Sequence, residues 1–384
     1  MINRETFTLE RLRSIEDVDA GTWDRLAEND VYAQHGWLRV LEKTVVEASD
    51  PVYFLLREGK ELVGAAVCYR LDAVGSSLDE MWFGRLYRSL TRLGFSLSPA
   101  LYCGPLLGQG RHVLWRREAP KPERLLARLL DAVSAFAAEK SLALAVAKLP
   151  IEEGVLLEMF AGRGFARTMN WPVSYVDIRW GSFDAYVGHL AALGSSMATK
   201  ARREIAGPGK TGILLGGIEH FENLSQEVLE LIEANQRAHS DTPLGLKREF
   251  FETLAQSHGA SSIVTVASAN GKLAGAALLL TAGDCAGGPL IGVSEDVRNR
   301  KAFTYFNLAL YEPIRFCIEH GLKRIYLGAG LYDMKRRRGC RELELAMLIR
   351  PRRMLGRIAC RFWCVAHRRW AVKKLERQGV RLLP

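Results

Sequence analysis

Residues 59–66 read Gly-Lys-Glu-Leu-Val-Gly-Ala-Ala, and residues 271–277 read Gly-Lys-Leu-Ala-Gly-Ala-Ala. Each lies between two apolar runs, over 52–71 and 262–281, the pattern of a strand, a tight turn and a second strand. Other features return in the same order. Gly104-Pro-Leu-Leu-Gly108 is echoed by Gly288-Pro-Leu-Ile-Gly292, the helical periodicity of 122–140 by that of 302–320, and the short apolar run 142–149 by 322–327. Order-preserved similarity at so long a period describes two copies of one α/β unit. A length of 384 residues agrees, because single cores stop growing at roughly 250–300 residues.

The later copy carries the densest chemistry. From Gly287 to Pro351 it reads as strand, loop, helix, strand, glycine turn, basic loop and strand. Phe303, Phe306, Leu310, Ile314 and Cys317 recur at helical spacing, and Pro313 predicts a bend in that helix. Gly321 ends it, and Leu322–Leu327 follows as a buried strand. Gly328 and Gly330 permit a tight turn or a close approach to a ligand. Tyr332-Asp-Met-Lys-Arg-Arg-Arg-Gly339 then offers a cluster of hydrogen-bond donors.

Between the copies, Lys200, Arg202 and Arg203 give a helix a basic face, with Ser196 or Thr199 able to cap it. Helices are also expected at 223–239 and 247–258, with a turn-rich loop at 240–245. Residues 75–101 yield no firm assignment.

The net charge of +10 is concentrated at one end. From Arg350 onward there are eleven Lys or Arg against one acid, Glu376, so the preceding residues are neutral in sum. Seven scattered cysteines without a CxxC pair suggest buried thiols, neither disulfides nor a metal site. There is no Walker loop, no GxGxxG after a strand, no HExxH and no GxSxG, which leaves nucleotide-kinase and hydrolase readings unsupported. With no signal-like start and no bilayer-length apolar run, a cytoplasmic location is expected.

These pieces, in this order, resemble the GNAT superfamily, and more closely its FemXAB branch with the FemAB-like proteins. The resemblance rests on Ser195-Ser196 with Lys200-Ala-Arg-Arg-Glu-Ile205, on Arg237-Ala-His239, on Gly321-Leu-Lys-Arg-Ile-Tyr-Leu-Gly328, and on Tyr332-Asp-Met-Lys335 followed by Gly339. It covers about 195–350, and more loosely the first half through Gln34-His-Gly-Trp-Leu38 and the 52–71 hairpin. The fold it implies is two tandem GNAT-like domains, each a mixed, mostly antiparallel sheet flanked by helices. Boundaries are expected at 1–185 and 186–350, with a basic helical tail at 351–384.

The activity implied is amide formation, with an acyl group passing to an amine from aminoacyl-tRNA or from acyl-CoA. The acceptor is a small-molecule amine or a cell-wall precursor, and no bound cofactor or metal is expected. By the same resemblance, Lys335 polarises the ester or stabilises negative charge, with Asp333 and Tyr332 beside it. Its alternative is a solvated lysine of a basic loop. Arg237, His239, Tyr305, Gly328 and Arg338 are candidate substrate contacts, with core packing the competing role for Tyr305.

GNAT domains hold the pyrophosphate of acyl-CoA on a glycine-rich loop at a helix N-terminus. Here that loop reads Arg298-Asn-Arg-Lys-Ala-Phe303, with Lys301 where a glycine belongs, which favours aminoacyl-tRNA as donor. Arg298, Arg300, Lys301, Arg202, Arg203, Arg352 and Arg353 are the candidate carrier contacts. The tail interleaves its basic residues with Leu355, Ile358, Phe362, Trp363 and Trp370, which suits a tRNA acceptor stem, an anionic membrane surface or simple packing on the body. A non-catalytic RNA- or membrane-binding protein is the remaining alternative.

Overall fold

In the computed structural model, which describes residues 7–45, 50–73, 77–218, 225–239, 245–299 and 302–380, both repeated turns close two-residue β-hairpins. Gly59 takes a φ of 60°, and Asn270 and Gly271 take 51° and 73°, the left-handed backbone that such turns require.

The chain forms two compact units, Met1–Trp171 with Glu344–Lys374, and Pro172–Leu343 with Leu375–Pro384. In the first, β1 (Phe7–Leu12), α1 (Ala20–Ala27) and α2 (His35–Thr44) precede the hairpin β2 (Pro51–Glu58) and β3 (Glu61–Leu71). Two short helices follow, α3 (Ser77–Phe83) and α4 (Tyr87–Arg92), in the region that the sequence left unassigned. Then come β4 (Ala100–Cys103), β5 (Val113–Trp115), α5 (Pro122–Glu139), β6 (Ala143–Pro150), α6 (Gly154–Gly162) and β7 (Ala166–Asp177). Pro122 starts α5, where its missing N–H costs nothing. The apolar stripe of α5, from Leu126 through Val133 to Ala137, is buried against β2–β4, β6 and α6. A fully buried leucine there contributes about 2–3 kcal/mol.

The second unit contains α7 (Phe183–His189), α8 (Met197–Ile205), α9 (Gly207–Lys210), β8 (Ile213–Ile218), α10 (Ser225–His239) and α11 (Phe250–His258). It continues with β9 (Ser262–Ala269), β10 (Lys272–Ala282), β11 (Cys285–Val293), α12 (Glu295–Asn299), α13 (Thr304–Phe306), α14 (Glu312–Glu319), β12 (Arg324–Tyr326) and α15 (Tyr332–Arg336). The chain then forms β13 (Arg341–Arg350) and α16 (Met354–Arg377). Neither α7 nor β8 was expected. Ser196 makes no side-chain cap on α8. Residues Asn307–Tyr311, between α13 and α14, are π-helical. That turn sits just ahead of Pro313, so the register changes where the proline could not have continued an α-helical ladder.

The duplication is borne out strand by strand. The first unit runs β1-β2-β3-β4-β6-β13 and the second β8-β9-β10-β11-β12-β7. In each, the fourth and fifth strands are parallel, β4 with β6 and β11 with β12, and the other pairs along these paths are antiparallel. This is the mixed, mostly antiparallel sheet flanked by helices expected for tandem GNAT-like domains. The sixth strand is the exception to simple tandem order. Strand β7 follows β6 in the chain yet pairs with β12, while β13 follows β12 and pairs with β6. The units therefore divide at Trp171/Pro172, Leu343/Glu344 and Lys374/Leu375, against the expected boundaries after 185 and 350.

Candidate active site

Parallel strands β11 and β12 pair over three positions only, Cys285 with Arg324, Ala286 with Ile325 and Gly287 with Tyr326. Beyond them β11 continues to Val293 along β10. The chain leaving β12 instead keeps its bonds to β7, Leu327 N donating to Ser174 O at 2.7 Å and Ser174 N to Gly328 O at 3.0 Å. The two parallel strands thus part at Gly287 and Tyr326. Gly328 and Gly330, with φ of 70° and 79°, turn the chain there. A Cβ added at either would meet nothing within 4 Å, so this turn faces open space.

The same place in the first unit is filled. Gly110 N donates to Lys148 O at 3.1 Å, and Lys148 Nζ donates to the carbonyls of Leu106 at 2.7 Å and Pro105 at 3.3 Å. Gly108 and Gly110 lie so close to the Tyr32 ring and the Asp30 carboxylate that a Cβ would fall within 2.3 Å and 2.7 Å of them. Among the described residues, the divergence of the second unit is the one left open.

Behind the open turn sits Lys335. It is 5% exposed, and its Nζ donates to Leu327 O at 2.7 Å, Gly328 O at 2.9 Å and Ala329 O at 3.3 Å. Those three carbonyls match the three N–H bonds of an ammonium. Burial pulls its pKa down to about 8, against smaller upward pulls from Cys340 and Glu342. The solvated-lysine alternative is therefore corrected. Lys335 is a caged cation whose donors are all engaged with main chain.

Its neighbours are placed differently from expectation. The Tyr332 hydroxyl, pushed up to about 12 by burial, donates to Pro172 O at 2.9 Å. Asp333 is exposed and pairs with Arg337 at 2.8 Å, one helical turn on. Arg338, read as a substrate contact, is 5% exposed and bonded to Glu204 twice, with Nη1 donating to Met334 O at 2.6 Å. Its guanidinium also stacks on Phe306 at 3.9 Å. Tyr305 is half-buried against the β8–β10 core and edge-on to Phe306, the kind of packing that competes with a substrate contact.

The other candidates scatter. Arg237 is exposed and paired with Glu233 at 3.3 Å, and Arg202 and Arg203 lie exposed on α8. Arg352 and Arg353 belong to the first unit, Arg352 donating to Ser141 O at 2.8 Å. The side chains of His239 and Arg298, and residues Arg300 and Lys301 altogether, lie outside the described residues.

Several residues escaped the sequence reading. Tyr311 Oη donates to Glu204 Oε2 at 2.6 Å and accepts from Arg338 Nε at 3.2 Å. Burial and the Glu204 carboxylate raise its pKa well above the ordinary phenol value. Asn307 Nδ2 donates to Glu204 O and Phe303 O, both at 3.0 Å. Among the described residues, its Oδ1 and the Thr304 Oγ1 are buried without a hydrogen-bond partner, at the start of the helical run from Thr304. The i, i+4 spacing of Asn307 and Tyr311 was the visible signal, but not their shared partner. Among the described residues, no cluster of His, Cys, Asp and Glu could hold a metal.

The described residues thus form duplicated α/β units, the later one open at the parting of its parallel strands. A profile for FemAB-like proteins, described as peptidoglycan biosynthesis/recognition, matches residues 14–348, and the chain belongs to that family. No curated protein matches it. A crystal structure of FemX is similar at 11% identity and TM-score 0.55, over 88% of this chain and 96% of that one. The C-terminal domain assigned to a lysylphosphatidylglycerol synthetase of Agrobacterium fabrum is similar at 12% identity and TM-score 0.54, over 90% and 94%. L-PGS from Bacillus licheniformis is similar at 9% identity and TM-score 0.54, over 91% and 97%. At such identities these likenesses speak to the fold.

Proposed function

We propose that the chain is an aminoacyltransferase, joining an aminoacyl group from aminoacyl-tRNA to the amine of a cell-wall precursor. The observation that carries the reading is the open Gly328–Gly330 turn where β11 and β12 part, with the Lys335 ammonium directly behind it. The neutral acceptor amine attacks the ester carbonyl, a C–N bond forms, the C–O bond to the tRNA ribose breaks, and the amine proton leaves with the ribose hydroxyl. Negative charge gathers on the carbonyl oxygen on the way. A fixed cation in a water-poor setting stabilises such charge most when it needs no reorganisation, and the three carbonyls hold Lys335 still. Carrier phosphates would meet the N-terminus of the helical run at Thr304 and the basic residues 298–301.

Family membership and the likeness to FemX support this reading. It is tested by incubating the protein with pools of charged tRNA, with a panel of acyl-CoAs, and with amine-bearing cell-wall precursors. Discharge of a charged tRNA, amide product and loss of both after RNase are expected. Discharge of acyl-CoA alone, insensitive to RNase, would overturn the choice of donor.

A further inference from the structure

Helix α16 is seated on the first unit through Cys360, Cys364 and Ala371, all buried. A helix packed on one face should be polar on the other. Its outer face is not. Leu355, Ile358, Phe362 and Val365 are spaced three, four and three apart, so they share that face, and they are 82%, 48%, 74% and 53% exposed. Arg357, Arg361 and Arg369 are exposed along the same helix.

A second element of the same unit repeats the combination. Phe83 of α3 meets Trp363 of α16 with ring centroids 5.8 Å apart, which fixes the α3–α4 segment beside the helix. That segment exposes Leu86 at 57%, and the turn after it Leu93 at 72% and Phe95 at 60%, with Arg88 and Arg92 also exposed. No described helix is long and apolar enough to cross a membrane.

We propose that this face of the first unit lies on an anionic phospholipid bilayer, with Leu355 and Phe362 entering the acyl boundary and the arginines meeting lipid phosphates. Charge selects the occupant. From Arg350 onward the chain has eleven basic residues and one acid, so two copies of this face repel each other. Nucleic acid rewards the arginines and stacks on aromatic rings, but it gains nothing from solvent-exposed leucine, isoleucine and valine. A bilayer with anionic headgroups rewards both at once, in an in-plane helix that spans nothing.

The test is sedimentation of the full chain with vesicles of pure phosphatidylcholine and of phosphatidylcholine mixed with phosphatidylglycerol. Partition should be at least about tenfold stronger on the mixed vesicles and weaken with salt. Leu355→Ser with Phe362→Ser should lower it at least about tenfold. Both side chains are exposed, so thermal unfolding should not move. Absent or composition-independent partition overturns the proposal, as does a variant that partitions like the wild type. A variant that loses tRNA binding or self-association, with no vesicle partition in the parent, gives the face to RNA or to a second copy and overturns it too.

Discussion

Arg338 and Glu204 meet through two bonds, Nη2 to Oε1 at 2.7 Å and Nε to Oε2 at 3.0 Å, with side chains 6% and 16% exposed. Tyr311 closes the cluster, and Tyr186 Oη donates to Arg338 O at 2.8 Å. Four segments distant in sequence are thereby tied together around one buried ion pair. Breaking it from one side strands a charge. Arg338→Met should destabilise the protein by about 3–5 kcal/mol in urea unfolding, and combining it with Glu204→Leu should recover most of that loss. A single variant that loses turnover at unchanged stability would instead return Arg338 to substrate binding.

Lys335 invites a paired measurement. Lys335→Met removes three donors from carbonyls that face one another, a loss of about 2–3 kcal/mol in stability, and should cut amide-forming turnover at least about 100-fold. Lys335→Arg should not restore activity, because a planar guanidinium does not fit carbonyls gathered around a single nitrogen. The pH dependence has a definite sign. The native pKa of about 8 lies below the roughly 10.4 of an unfolded lysine. Between those values the unfolded chain holds the extra proton, so wild-type stability rises with pH relative to Lys335→Met. Turnover that depends on the ammonium falls above about pH 8. A flat rate profile to pH 10 would count against the charged role.

His112 supplies an acid-side prediction in the first unit. It is fully buried, and burial together with the nearby Lys148 charge holds its pKa down at about 3. The unfolded value is near 6.5, so the unfolded chain binds the extra proton between about pH 6.5 and 3, and stability falls with falling pH. The slope from this group approaches about 1.4 kcal/mol per pH unit. His112→Asn, chosen because the native φ is 43°, should flatten that part of the profile. Equal acid sensitivity of variant and wild type would refute the assignment.

Two glycines of the second unit should respond unequally to alanine. Gly328 is in left-handed backbone with open space around it, so Gly328→Ala costs about 1 kcal/mol through strain. At Gly292 a Cβ would lie 2.3 Å from the Leu231 carbonyl carbon, where β11 packs on α10. Gly292→Ala should cost about 3 kcal/mol, because backbone has to move. Thermal unfolding of the two variants gives the order.

What could be read without coordinates was local or periodic. Turn chemistry at Gly59-Lys60 and Asn270-Gly271 marked both hairpins, and apolar spacing marked α5 and the helical run before Gly321. Pro313 predicted a bend, and the π-helical turn Asn307–Tyr311 lies just ahead of it. Their repetition in order was enough for two units of one fold. Burial and partnership were not legible in this way. Lys335 belongs to a run of four cationic residues, yet it is caged while Arg337 pairs with Asp333 in solvent, a difference set by which side of a short helix meets the Leu327–Ala329 carbonyls.

The sequence by itself determined the repeated unit and its elements, since those follow from interactions within a few residues. Tertiary structure alone decided which unit received β7 and which β13, gave Arg338 to a glutamate 134 residues away, and left the later divergence open among the described residues. Such outcomes depend on contacts between segments distant in the chain, whose energies no local pattern records.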